Sequence, residues 1–220
     1  MATTIQLTAG NDQLSAYLAT PEGTPKGGLV IVQEIFGVNA HIRDVADRYA
    51  REGWLAIAPA LFDPIQPGVE LDYTADGLAE GLDFVGKLGF ERPLAAIAAA
   101  AREIAHAGKV GVVGYCWGGS LAYLAAIKLG LPAVSYYGGR NTLFTDQVAK
   151  APLMFHYGEH DAHISAADRE QVRKANPDAP VYVYDADHGF NCDRRGSYDA
   201  AAAKLAQERT LAFFSQHLGA

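Results

Sequence analysis

Apolar residues gather into short unbroken runs, separated by polar and glycine-rich stretches, at 28–33, 54–58, 110–113, 133–137, 153–157 and 181–184. Each run has the length of a strand. Apolarity on every residue, rather than on alternate ones, suits a strand covered on both faces of a parallel sheet. Two earlier runs, 4–8 and 14–18, flank the turn-rich Ala9-Gly10-Asn11-Asp12 and predict an antiparallel hairpin.

Helical periodicity falls between the runs. Ile42, Val45, Ala46 and Tyr49 recur at helical spacing, with Asn39 as the expected cap and Gly53 as the stop. The alanine-rich stretch 93–107 carries Pro93 near its first turn and Gly108 just past its end. Further helices are expected over 120–129, ending at Gly130, and over 197–218, ending at Gly219. Alternation of strand and helix from residue 28 onward predicts an α/β fold. Its core is a doubly wound, mostly parallel sheet of about eight strands, with helices on both faces and the hairpin at the N-terminus.

The chain has 220 residues, and no repeat or linker breaks it, so a single domain over 1–220 is expected. The net charge of −7 lacks the basic footprint that nucleic acid calls for and disfavours an anionic membrane surface. No apolar run approaches the ~18 residues of a membrane span. The N-terminus has neither a basic nor an apolar leader segment. A cytoplasmic protein is the expectation, as a monomer or weak homo-oligomer, without metal or cofactor. The two cysteines, Cys116 and Cys192, do not make a disulfide framework.

Chemistry concentrates at Gly114-Tyr115-Cys116-Trp117-Gly118-Gly119, where an apolar strand runs through Gly-x-Cys-x-Gly into a helix. The pattern resembles the nucleophile elbow of α/β-hydrolases with cysteine in place of serine. Such a bend presents the sulfur at a helix N-terminus, where the dipole and N–H groups favour a thiolate and, later, an oxyanion. The glycines are needed because residues two before and two after the nucleophile lie too close for side chains. A nucleotide-binding reading fails on spacing, since neither Gly-x-Gly-x-x-Gly nor a Walker sequence is present.

In that fold an acid and then a histidine follow the nucleophile, each after a later strand. The run 153–157 ends in Gly158-Glu159-His160-Asp161, and 181–184 ends in Asp185-Ala186-Asp187-His188-Gly189-Phe190. His188 has the proton affinity to serve as base, and Asp161 is the expected carboxylate to orient it. Glu159 is the alternative acid, while Asp185 and Asp187 more naturally shape the turn before the histidine. His156, His160 and His163 around Asp161 raise a metal alternative, but their spacing fits no zinc motif.

With Gln33-Glu34-Ile35-Phe36-Gly37-Val38-Asn39, the elbow sequence, Asp187-His188-Gly189-Phe190 and the closing Glu208-Arg209-Thr210-Leu211, the chain resembles the dienelactone hydrolase (carboxymethylenebutenolidase) family from about residue 13 onward. The resemblance implies an ester- or lactone-cleaving enzyme acting on a small molecule through a Cys116–His188–Asp161 triad and a thioester intermediate. It also implies that Glu34 holds the resting cysteine, and that the backbone N–H groups of Ile35 and Trp117 form the oxyanion hole. Phe36, Trp117, Tyr136, Tyr137 and Phe190 are candidates for lining a pocket. The arginines with which family members grip a substrate carboxylate are not matched: 63–90 contains none, and Cys192 stands where one is expected past the histidine. Either Arg194 and Arg195 reach back, or Lys87 or Arg92 substitutes, or the substrate is not a small anionic lactone. The rival reading is a thiol-based redox sensor on the same scaffold, with Cys192 as the resolving cysteine.

Overall fold

The predicted strands and helices are present in the computed structural model, which describes residues 1–219. The strands, in chain order, are β1 (Ala2–Ala9), β2 (Asp12–Ala19), β3 (Gly28–Val32), β4 (Leu55–Pro59), β5 (Val110–Tyr115), β6 (Ala133–Tyr136), β7 (Leu153–Gly158) and β8 (Val181–Tyr184). They form one eight-stranded sheet in the order β1-β2-β4-β3-β5-β6-β7-β8. β1 and β2 are the antiparallel hairpin, with Ala9 opposite Asp12, and β2 also pairs antiparallel with β4. The pairs β3–β4, β6–β7 and β7–β8 are parallel. The helices are α1 (Ala40–Arg51), α2 (Ala75–Leu88), α3 (Glu91–Glu103), α4 (Trp117–Lys128), α5 (Ala166–Ala175) and α6 (Ala200–His217).

The described residues fall into two compact units: 1–112 together with 218–219, and 113–217. In the first unit, every residue of β3 and β4 is buried, as their unbroken apolarity requires. Full burial of a side chain such as Leu29 or Ile57 contributes about 1.5–3 kcal/mol. α1 starts where Asn39 accepts a hydrogen bond from the Ile42 N–H at 3.2 Å, and it buries Ile42, Val45, Ala46 and Tyr49, the stripe read from the sequence.

In the second unit, β6 and β7 are buried along their whole length. α4 is buried on almost every side, which its sequence allows because Leu, Ala and Ile run around the whole helix. α5 is the opposite case: only Arg169 and Val172 are buried, and a reciprocal cap between Ser165 and Asp168 holds its start. Neither α2 nor α5 is evident from periodicity. α4 begins at Trp117, three residues before the expected start, so it follows Cys116 without any spacer.

Candidate active site

β5 ends at Tyr115, and the chain turns into α4 at Cys116, whose backbone has φ 55° and ψ −119°. A non-glycine residue with positive φ is strained, and such strain persists only where surrounding contacts hold it. Here the Cys116 N–H donates to the Tyr136 carbonyl at 3.0 Å, while the Cys116 carbonyl accepts from the Gly119 N–H at 2.9 Å. The glycines are required by close approach. A Cβ on Gly114 would lie 1.8 Å from the Gly118 carbonyl oxygen, and one on Gly119 would lie 2.5 Å from that of Tyr136. Neither cysteine is in a disulfide; Cys116 is partly exposed and Cys192 is buried. Trp117, the residue after the nucleophile candidate, is the first residue of α4.

The acid and the histidine come from loops stitched to one another. After β7 the Glu159 N–H donates to the Tyr184 carbonyl at 2.7 Å, and the His160 N–H to the Ala186 carbonyl at 3.1 Å. Gly158 allows this approach, since a Cβ there would lie 2.3 Å from the Ala186 oxygen. Arg169 of α5 is buried and donates to the carbonyls of Gly158 and Ile164, bracing the same loop. The outcome is a 2.7 Å hydrogen bond between His188 Nδ1 and Asp161 Oδ2. The other Asp161 oxygen accepts from the His163 N–H at 2.8 Å. The Cys116 sulfur is near enough to the His188 ring to act on its charge, and with Nδ1 bonded to Asp161 the ring keeps Nε2 for a second partner.

Burial of His188 works against its charged form, but the negative Cys116 sulfur and the Asp161 carboxylate outweigh it and raise the imidazole to about 10. This arrangement favours the protonated form of the His188 ring. The Asp161 side chain is fully buried, and that of His188 is 12% exposed, so water screens these charges poorly.

Each remaining candidate has a definite place. Among the acids, Asp161 is the one on His188; Glu159 and Asp187 are exposed, and Asp185 pairs with His160 at 2.5 Å. The three histidines of the metal alternative are engaged separately. His156 bonds Tyr184 and Thr210, His160 bonds Asp185, and the His163 ring packs edge-on against His188 at 5.2 Å. Tyr137 and Phe190 are fully buried, and the Tyr137 ring lies 5.0 Å from that of His188. Tyr136 sends its hydroxyl to Thr210 at 2.7 Å. Arg195 places its guanidinium against Gly189, the residue after His188, where a Cβ would meet Nη1 at 2.7 Å, and Arg194 is exposed.

Within the first unit, Glu34 is completely buried and its Oε2 accepts from the Tyr73 hydroxyl at 2.9 Å. Tyr73 packs its ring against Phe36 at 4.5 Å and accepts from Asn39. Tyr73 belongs to no recognisable motif, and only the tertiary structure shows its part. Ile35 is buried, and its carbonyl lies so close to Gly81 of α2 that a Cβ there would come within 2.1 Å. Lys87 pairs with Asp83, and Arg92 makes two hydrogen bonds to Asp12, which engages both candidate substitutes for the absent arginines.

Known proteins resemble this chain in sequence and in fold. The model of the dienelactone hydrolase family matches residues 14–218. The carboxymethylenebutenolidase of Pseudomonas putida is 35% identical over 91% of this chain and 90% of its own length. A protein of Azospirillum brasilense, given the same name provisionally, is 40% identical over 99% and 100%. Among solved structures, a dienelactone hydrolase-like promiscuous phosphotriesterase from metagenomic libraries superposes with a TM-score of 0.82 at 20% identity, over 100% of this chain and 99% of that one. At that identity the likeness shows a shared α/β-hydrolase fold.

Proposed function

Because the chain belongs to the dienelactone hydrolase family, and is a dienelactone hydrolase-like ester hydrolase, we propose that it cleaves its ester or lactone by nucleophilic attack of Cys116, with His188 as acid and base and Asp161 as the orienting carboxylate. The observation that supports this best is the single imidazole bonded to a buried carboxylate at 2.7 Å and influenced by the sulfur of a strained bend.

The chemistry follows from that arrangement. The Cys116 thiolate adds to the carbonyl carbon, forming a C–S bond and an oxyanion at the N-terminus of α4, where the Trp117 N–H donates to it. Collapse of this intermediate breaks the C–O bond, and the leaving enol or alkoxide takes the His188 proton; from a lactone it stays tethered to the acyl group. Neutral His188 then removes a proton from water, which attacks the thioester. Cleavage of the C–S bond releases the acid and restores thiolate and imidazolium. Asp161 keeps its proton-accepting oxygen on Nδ1 throughout, so that Nε2 carries every transfer. The roles that the resemblance gives to Glu34 and to the Ile35 amide belong to the same proposal.

The test is a stopped reaction with an activated aryl ester, followed by mass spectrometry. A thioester on the Cys116 peptide and loss of turnover in a folded Cys116→Ala variant are expected, and His188→Ala should lose about 10²–10⁴-fold. Unchanged turnover in Cys116→Ala rejects the scheme. A Cys116–Cys192 disulfide forming under mild peroxide, with no acyl adduct from any ester, favours the redox reading instead.

A further inference from the structure

Beneath the elbow, a set of buried polar groups in the second unit takes no part in the chemistry above. His156 of β7 is completely buried, with Nδ1 2.8 Å from the Tyr184 hydroxyl and Nε2 3.1 Å from the Thr210 hydroxyl of α6. Thr210 Oγ1 also lies 2.7 Å from the Tyr136 hydroxyl, and the Tyr184 hydroxyl accepts from Arg209 at 3.1 Å.

The direction of each bond follows by elimination. The one Thr210 proton goes to the Ala206 carbonyl at 2.8 Å, so Oγ1 must accept from both Tyr136 and His156. His156 therefore carries its proton on Nε2 and presents a lone pair at Nδ1. Tyr184 donates to that lone pair while accepting from Arg209. Every proton in the circuit has one acceptor, and a second proton on His156 would leave the Tyr184 hydroxyl without a place for its own. Burial, followed by the Arg209 charge, lowers His156 to about 3, in keeping with a permanently neutral ring.

We infer that this circuit is a positioning device for the elbow, with Thr210 and His156 as positioning residues. Thr210 Oγ1 pins two side chains that face each other across neighbouring strands, Tyr136 and His156. The backbones of those two residues hold the reacting segment: the Tyr136 carbonyl takes the Cys116 N–H at 3.0 Å, and the His156 carbonyl takes the Tyr137 N–H at 2.7 Å. Tyr137 is the other non-glycine residue with positive φ, at 39°, and its ring touches that of His188. Both partners of the Cys116–His188 proton exchange thus bear on the Tyr136–Tyr137 step, and one threonine oxygen ties that step to α6. The inference rests on the reading of Cys116 as nucleophile.

The experiment separates the two. The alkylation of Cys116 by iodoacetamide is followed against pH by peptide mass spectrometry, which needs no ester turnover, and the hydrolysis of an aryl ester is measured in parallel. Thr210→Val removes the shared oxygen at nearly constant shape. It is expected to shift the alkylation profile and to lower kcat about tenfold with KM little changed, since small misplacements of reacting groups cost rate rather than affinity. Thr210→Ser should restore both. Tyr123→Phe deletes a different buried hydroxyl of the same unit, one bonded to Asn176, and should lower stability while leaving the profile and kcat alone. Should Thr210→Val fail to accumulate as folded protein, Tyr184→Phe opens the circuit at its outer end and carries the same expectation. A Thr210→Val or Tyr184→Phe protein with unaltered profile and kcat overturns the inference, as does an equal loss in Tyr123→Phe. If Cys116→Ala retains turnover while the Thr210→Val profile still shifts, the positioning stands and the nucleophile assignment falls.

Discussion

Burial acts on two histidines of the second unit with opposite outcomes. His188, near the Cys116 sulfur and bonded to the Asp161 carboxylate, is raised; His156, buried among hydroxyls near a cation, is lowered. The consequence for stability is a matter of sign. His156 takes a proton at about 3 when folded and at about 6.5 when unfolded, so its contribution is fully present above pH 6.5 and is lost as pH falls toward 3. Over that window the unfolded chain binds the extra proton, and stability falls by up to about 1.4 kcal/mol per pH unit. Urea midpoints measured from pH 7 down to 4 should therefore fall less steeply in His156→Gln than in the native sequence. His188 works the other way: its contribution is present below pH 6.5 and is lost as pH rises through about 10. At this scale the sequence pointed to Cys116, Asp161 and His188 as candidates, because each lies within four residues past the end of a strand, at a motif with few alternatives. The bonds of Thr210 and Tyr184 were not legible, because nothing in their local sequence separates a core hydroxyl from a surface one.

Whole elements were legible in proportion to how much apolar surface they bury. The six unbroken runs became strands, and α1 presented its predicted stripe. α2 was not visible: three glycines dilute it, and its Leu78 and Leu82 point to solvent. α5 was missed because half of its ten residues are charged and its start depends on side-chain capping rather than burial. That dependence is testable. Ser165→Ala removes the hydroxyl that accepts from the Asp168 N–H at 3.1 Å, and should cost about 1 kcal/mol in urea unfolding. Since α5 also carries Arg169, which braces the Asp161 loop, the same variant should show faster amide exchange at Gly158–Ile164 by mass spectrometry.

For the molecule as a whole, periodicity foretold the alternation of elements but not the strand order, which places β4 between β2 and β3. That order depends on crossovers whose length and local composition leave several arrangements open. The boundary between the two compact units falls at Val112–Val113, inside β5, and a strand of six residues does not fold by halves. We propose on that ground that the chain unfolds as one domain. Calorimetry should give a single transition with equal van't Hoff and calorimetric enthalpies, and two resolved transitions would refute it.

The contrast between the two thiols also gives the native protein a built-in tally. Cys192 is sealed from solvent while Cys116 is partly open, and the chain has no third cysteine. An aromatic disulfide reagent should therefore release one equivalent of chromophore from the native protein and two after denaturation. The fast equivalent counts competent elbows in any preparation, so that specific activity is referred to working molecules rather than to total mass.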